Sequence, residues 1–157
     1  MCIHVLYVAF GVKGADNARP GAPESRRRRW TMPVKVLVIV EDDPDVQFLV
    51  EAIFSTDSRF TVGVVAASAE EAMESLQTAE PGIIVLDHGL SGRLTGLEAA
   101  PRLKELAPQA KIIMFTAHAD LKAGADKEPA IDGFVLKTDS TQLLPLAQRL
   151  SGLAPPT

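Results

Sequence analysis

The sequence predicts an α/β domain built on a parallel β-sheet, and three observations carry that prediction. Short apolar runs alternate with longer amphipathic stretches along residues 35–150, the pattern of repeated βα units. Several of the runs, KVLVIV, GIIVL and KIIMF, are continuous rather than alternating, as expected of strands covered by helices on both faces. Two of them end in acids, Glu41-Asp42-Asp43 after the first and Asp87 after the third. In open parallel sheets the crevice beyond the strand ends is where ligands bind, so acids held there are candidates for chemistry.

Five strands are expected, from Lys35 to Val40, Phe60 to Ala66, Gly82 to Leu86, Lys111 to Phe115 and Gly133 to Leu136. Helices fill the gaps. The first, from Pro44 to Ser55, opens with proline directly behind a capping Asp43 and sets Val46, Leu49, Val50, Ile53 and Phe54 on one face. The second, from Ser68 to Ala79, starts with Ser68 and Glu71 at capping-box spacing, and the third, from Thr95 to Ala107, repeats the device with Thr95 and Glu98. Pro101 and Pro145 each remove a backbone donor inside a helix and are expected to bend or shorten it. Between His118 and Asp132 there are few apolar residues, an interior Gly124 and a late Pro129, so only a short or mobile fourth helix is expected.

The chain of 157 residues suits one domain, with apolar content of 46% and charged content of 23% in the ordinary globular range. Its net charge of −4 conceals an asymmetry: residues 1–31 carry six Lys or Arg against two acids, whereas residues 32–157 carry 10 against 18. An acidic body without a basic stripe argues against nucleic acid as a partner of this chain. The single cysteine, Cys2, excludes an intramolecular disulfide and fits a reducing, cytoplasmic setting. Residues 1–12 are apolar but too short to span a bilayer, so no membrane span is expected. Residues 1–31 read as a disordered or misassigned extension ahead of Met32, with a rival reading as a basic tail touching acidic lipid or a partner through Arg26–Arg29 and Trp30. The domain is expected over residues 32–153, with a short tail at 154–157.

Neighbouring strands lie about 4.8 Å apart, so if the first and third are adjacent, their terminal carboxylates surround one point. Like charges that close repel, and a raised pKa or a divalent cation must offset them. Hard oxygen ligands without a His or Cys cluster favour Mg2+. The fourth strand ends in Thr116-Ala117 and the fifth in Lys137-Thr138, which adds a hydroxyl and an ammonium at the same rim. Such a set suits phosphoryl transfer, where stabilising charge on the equatorial oxygens is most of the work.

These features, VEDDPDV, IIVLD, MFTAH and GFVLK, lie in order at strand ends about 45, 29 and 21 residues apart. Together they resemble the receiver domain of two-component response regulators, over about residues 34–153. The resemblance implies a flavodoxin-like doubly wound sheet of order 2-1-3-4-5 with helices on both faces. It implies Asp87 as phosphoacceptor, taking a phosphoryl group from a phosphohistidine on a sensor histidine kinase or histidine phosphotransfer protein. It implies Mg2+ held by Glu41, Asp42, Asp87 and the carbonyl of Gly89, with Asp43 left out as a cap. Lys137 would pair with the phosphoryl oxygens, Thr116 would donate a hydrogen bond to one of them, and Phe134 matches the aromatic that turns inward with Thr116. Self-phosphorylation from a donor and autodephosphorylation are the most enzyme-like acts implied, without turnover of an external substrate.

The chain departs from the pattern in the loop after Asp87. Ser91 stands where the family has proline, and Gly96 falls one residue later than the family glycine, as if one residue were inserted. Thr138 replaces the proline that follows the family lysine, so a trans peptide is expected there. His88 and His118 lie beside the site, but two loop histidines without a third ligand do not make a zinc site, and an influence on water access is the better reading. Since four residues follow Leu153, output is expected through a downstream protein target. The altered loop and weak fourth helix motivate a rival, a receiver-like interaction module that signals without phosphorylation. A Mg2+-dependent phosphatase of the haloacid dehalogenase type shares the sheet and metal but needs paired aspartates arranged differently after the first strand.

Overall fold

The computed structural model describes residues 33–155, so the expectations for residues 1–31 lie outside the described residues. The elements follow one another as β1 (Lys35–Val40), α1 (Pro44–Ser55), β2 (Phe60–Ala66), α2 (Ala69–Ser75), β3 (Ile83–Leu86), α3 (Gly96–Leu106), β4 (Lys111–Thr116), α4 (Lys122–Lys127), β5 (Gly133–Leu136) and α5 (Leu143–Leu150). All five strands are parallel, in the order β2-β1-β3-β4-β5. Strands β1 and β3 are neighbours, with Val40 opposite Leu86, so the residues that follow them, Glu41-Asp42 and Asp87, leave the sheet side by side.

Side chains alternate across a strand, and the two faces of the sheet therefore bury different sets. Leu37, Ile39, Ile83, Val85, Ile113, Phe115 and Val135 pack on one face against Val50 and Phe54 of α1 and Leu143 and Ala147 of α5. Val38, Val40, Ile84, Leu86 and Ile112 pack on the other against Ala69 and Ala72 of α2 and Ala99, Ala100 and Leu103 of α3. The alanine-rich helices keep that second layer close to the sheet. In the pairing of β1 with β2 the register slips between Leu37 and Val38, and Gly63 is passed over. A Cβ there would lie 2.5 Å from Val36 Cγ1, so the bulge sits where the chain has no side chain to place.

The helix starts follow their caps. Asp43 Oδ1 accepts the Asp45 N–H at 2.9 Å with Pro44 in the first turn. Ser68 Oγ accepts the Glu71 N–H at 3.1 Å, and Thr95 with Glu98 forms a complete capping box. Helix α2 ends at Ser75, four residues short of the expected Ala79, because the amides of Gln77 and Thr78 turn to acceptors three residues back, the tightening common at helix ends.

Helix α3 keeps its expected length, continuing past Pro101 to Leu106. The proline removes only the bond to the Leu97 carbonyl, and burial of Ala99, Ala100 and Leu103 holds the helix on both sides of that gap. Pro145 behaves differently. Two 3-10 turns joined by a kink at Asp139 occupy Lys137–Gln142, and α5 begins only at Leu143. Pro145 thus falls in the first turn, where a missing N–H has no intrahelical partner to lose. Helix α4 is short, six residues behind a 3-10 turn at Ala119–Leu121, and buries only Ala125.

One stabilising group was not legible in the sequence. Asp57, in the turn between α1 and β2, is buried and binds Arg59 Nη2 at 2.7 Å and Gln148 Nε2 of α5 at 2.9 Å. The Arg59 guanidinium, against the cost of burial and with help from Gln148, holds the carboxyl well below the ordinary aspartate range. A carboxyl depressed in the folded state stabilises above its unfolded pKa and loses that contribution as pH falls below about 4. Asp57→Ala is expected to cost about 2–3 kcal/mol at neutral pH, because it strands the Gln148 amide. Denaturant melts should show that deficit shrinking as the pH is lowered through the acid range.

Candidate functional site

The site forms where β1, β3, β4 and β5 end together. Glu41 and Asp87 are 3% and 6% exposed, each the first residue beyond its strand, whereas Asp42 is exposed. Their carboxylate oxygens, with one from Asp42, lie within 4.8 Å of one another. Asp43 is the α1 cap, its side chain accepting the Asp45 N–H.

Lys137, the first residue after β5, reaches into the cluster. Its Nζ lies 2.7 Å from Glu41 Oε2 and 3.0 Å from Asp87 Oδ2. The contact with Glu41 is ionic rather than a well-angled hydrogen bond, since Oε2 has no directed donor. Burial works against the Lys137 ammonium, but its contacts with Glu41 and Asp87 outweigh that cost, and its pKa rises above the ordinary lysine value. Burial also pushes the Glu41 carboxyl up, and the charge of Asp87 adds to this. Lys137 and the Asp43 N–H, bound to Oε1 at 3.0 Å, pull it down only in part. Three carboxylates stand close together beside one ammonium, and burial is the main reason the Glu41 carboxyl is raised.

Asp87 is held at both oxygens. Oδ1 accepts the His88 N–H at 2.7 Å and Oδ2 faces Lys137, so the carboxylate plane is fixed. A Cβ on Gly89 would stand 4.0 Å from Asp87 Oδ2, which places the Gly89 backbone beside the acid. Thr116 is fully buried at the end of β4, and its Oγ1 accepts the His118 N–H at 3.3 Å. That leaves its one hydroxyl proton for another acceptor. Phe134 is half-buried on β5 opposite Met114, with Lys122 Nζ of α4 5.7 Å from its ring centroid.

The rings of His88 and His118 stand edge to face, with centroids 6.5 Å apart. Among the described residues they join no third metal-ligating side chain. No described residue has a cis peptide, including Thr138.

In the loop after Asp87, Gly96 packs directly against the backbone that leaves β3. A Cβ on Gly96 would collide with the Asp87 carbonyl, and the Gly96 N–H donates to His88 O at 3.0 Å, so α3 approaches β3 as closely as only glycine permits. Gly92, at φ +99°, takes the turn. Three contacts were not foreseen: Gln47 Nε2 to Glu41 O at 2.6 Å, Ser91 Oγ to Asp42 Oδ2 at 3.0 Å, and the Arg93 N–H to Glu70 Oε1 at 3.0 Å. The displaced glycine marked this loop in the sequence, but nothing there signalled which groups it would meet.

The family model for the response regulator receiver domain matches residues 37–148. The response regulator protein VraR of Staphylococcus saprophyticus is 30% identical over 110 residues, 69% of this chain and 52% of VraR, so the chain spans about half the length of that relative. A solved two-component response regulator of the LuxR family from Aurantimonas is 26% identical, with a TM-score of 0.68 over 76% of this chain and 87% of that one. The response regulator TrrA of Thermotoga maritima, solved in complex with Mg2+-BeF, has the same fold at a TM-score of 0.66 and 24% identity, covering 74% of this chain and 99% of that one. No helix among the described residues is long and apolar enough to cross a membrane. With its sheet order and its strand-end acids, the chain belongs to the response regulator receiver domain family of two-component signalling.

Proposed function

We propose that Asp87 accepts a phosphoryl group from a phosphohistidine on a sensor histidine kinase or phosphotransfer protein, in a Mg2+-dependent reaction, and that the phosphorylated domain signals through a protein partner. The observation that carries this reading is the convergence of Glu41, Asp42, Asp87 and Lys137 at three strand ends. In the transfer an Asp87 oxygen forms a bond to phosphorus as the phosphorus–nitrogen bond breaks, and the imidazole nitrogen keeps the electron pair and takes up a proton.

The acidic set fits a hard divalent ion. Three carboxylate oxygens close together and a Glu41 carboxyl raised by burial describe a pocket short of positive charge. Glu41, Asp42, Asp87 and the Gly89 carbonyl would hold Mg2+, which neutralises charge on the transferring phosphoryl group. Lys137, already at Asp87 Oδ2, is placed to pair with a phosphoryl oxygen on that carboxylate. The free hydroxyl proton of Thr116 would go to another. Phe134 would then repack, and since Lys122 lies over its ring, α4 would respond with it.

Incubation with a small acyl phosphate and Mg2+, followed by intact mass measurement, tests the reading. One added phosphoryl group supports it, and its absence would leave the phosphorylation-independent module instead. Mg2+ affinity is also expected to fall with pH. Protons compete with the ion for Glu41, and the upward shift of its pKa moves that competition to higher pH. Calorimetric titrations between about pH 5 and about pH 8 check the sign.

A further inference from the structure

The loop that departs from the family pattern touches the proposed metal site. Asp42 is its one exposed carboxylate, and a short exposed acid samples several rotamers unless something holds it. Ser91 Oγ lies 3.0 Å from Asp42 Oδ2, across 49 residues of sequence. The serine itself is anchored. Its backbone forms a parallel bridge to Ser68 at the start of α2. Two residues on, the Arg93 N–H donates to Glu70 Oε1 at 3.0 Å. Between them Gly92 turns so close against Glu70 that a Cβ would stand 2.5 Å from Oε2. The loop is thus strapped to α2, and its hydroxyl is presented to Asp42 from a fixed backbone.

A proline at position 91, the family residue, has neither a hydroxyl nor a backbone N–H. Here the hydroxyl donates to Asp42 Oδ2, one of whose lone pairs it occupies.

We propose that Ser91 is a positioning residue for the metal site: strapped down through Ser68 and Glu70, its hydroxyl orients Asp42 so that the acidic set binds a divalent cation. This rests on the reading of Glu41, Asp42 and Asp87 as a Mg2+ site. Hydrogen bonds to ligating carboxylates typically change metal affinity 10- to 100-fold, and the lower end applies to a contact open to water.

Titration of the full chain with Mg2+ by calorimetry, without any phosphodonor, tests it. Ser91→Ala is expected to raise the dissociation constant about tenfold, and Ser91→Thr, which keeps the hydroxyl, to return it to within about threefold of wild type. The thermal midpoint without metal should be the same for all three. Wild-type affinity in Ser91→Ala, or an equal loss in Ser91→Thr, would overturn the role of Ser91. In either case Asp42→Asn would still abolish binding and the metal site would stand. If the wild-type chain binds no Mg2+, the metal-site reading fails, and the inference fails with it.

Discussion

Asp87→Asn is expected to abolish phosphorylation entirely. The wild-type chain incubated with an acyl phosphate and Mg2+ should gain the mass of one phosphoryl group, and the variant none. The amide nitrogen and oxygen of asparagine are poor nucleophiles. The substitution also removes one of the three carboxylates that lie within 4.8 Å of one another. Both the attacking group and part of the ion's charge complement are lost while the size of the side chain is kept. A phosphorylated variant would show that another residue is the acceptor, and peptide mapping of that species would locate it.

Lys137→Ala is expected to have the second largest effect, and it separates structure from chemistry. In the folded chain Lys137 Nζ bridges Glu41 at 2.7 Å and Asp87 at 3.0 Å, both nearly sealed from water. Removing it leaves the carboxylates facing one another with no protein cation between them. Breaking a fully buried pair costs about 3–5 kcal/mol, and since a fifth of the Lys137 side chain meets solvent, about 2 kcal/mol is expected here. Mg2+ should restore much of that deficit by supplying the missing charge, so the variant's denaturation midpoint should depend on Mg2+ more steeply than the wild type's. Phosphorylation should stay impaired even with Mg2+, because the ion does not replace an ammonium already placed at Asp87 Oδ2. Equal melts of the two proteins would show that the lysine is not what holds the acids together.

The Asp57 and Lys137 variants probe opposite situations. Asp57 is over-supplied with donors, from Arg59 and Gln148, and its carboxyl is held down. Glu41 is under-supplied, and its carboxyl is pushed up. Hydrogen-bond donors decide the first, and burial dominates the second.

The sequence by itself determined the sheet, the starts of the first three helices and which acids, hydroxyl and lysine stand at the strand ends. Each is written in local order. Continuous apolar runs mean strands buried on both faces, Asp43, Ser68 and Thr95 cap from fixed offsets, and an acid directly after an apolar run emerges at a strand end whatever lies beside it. The same local logic does not say how α3 passes Pro101, because a single lost bond is weighed against the burial of Ala99, Ala100 and Leu103, and burial is a property of the packed layer. Only the tertiary structure decided which partners those groups would meet. That Asp87 meets Lys137, 50 residues away, that Asp57 is answered by Gln148, 91 residues away, and that Ser91 turns toward Asp42, 49 residues away, all depend on contacts between segments distant in sequence. Spacing along a chain carries no information about distances of that kind until the sheet has brought the strand ends together.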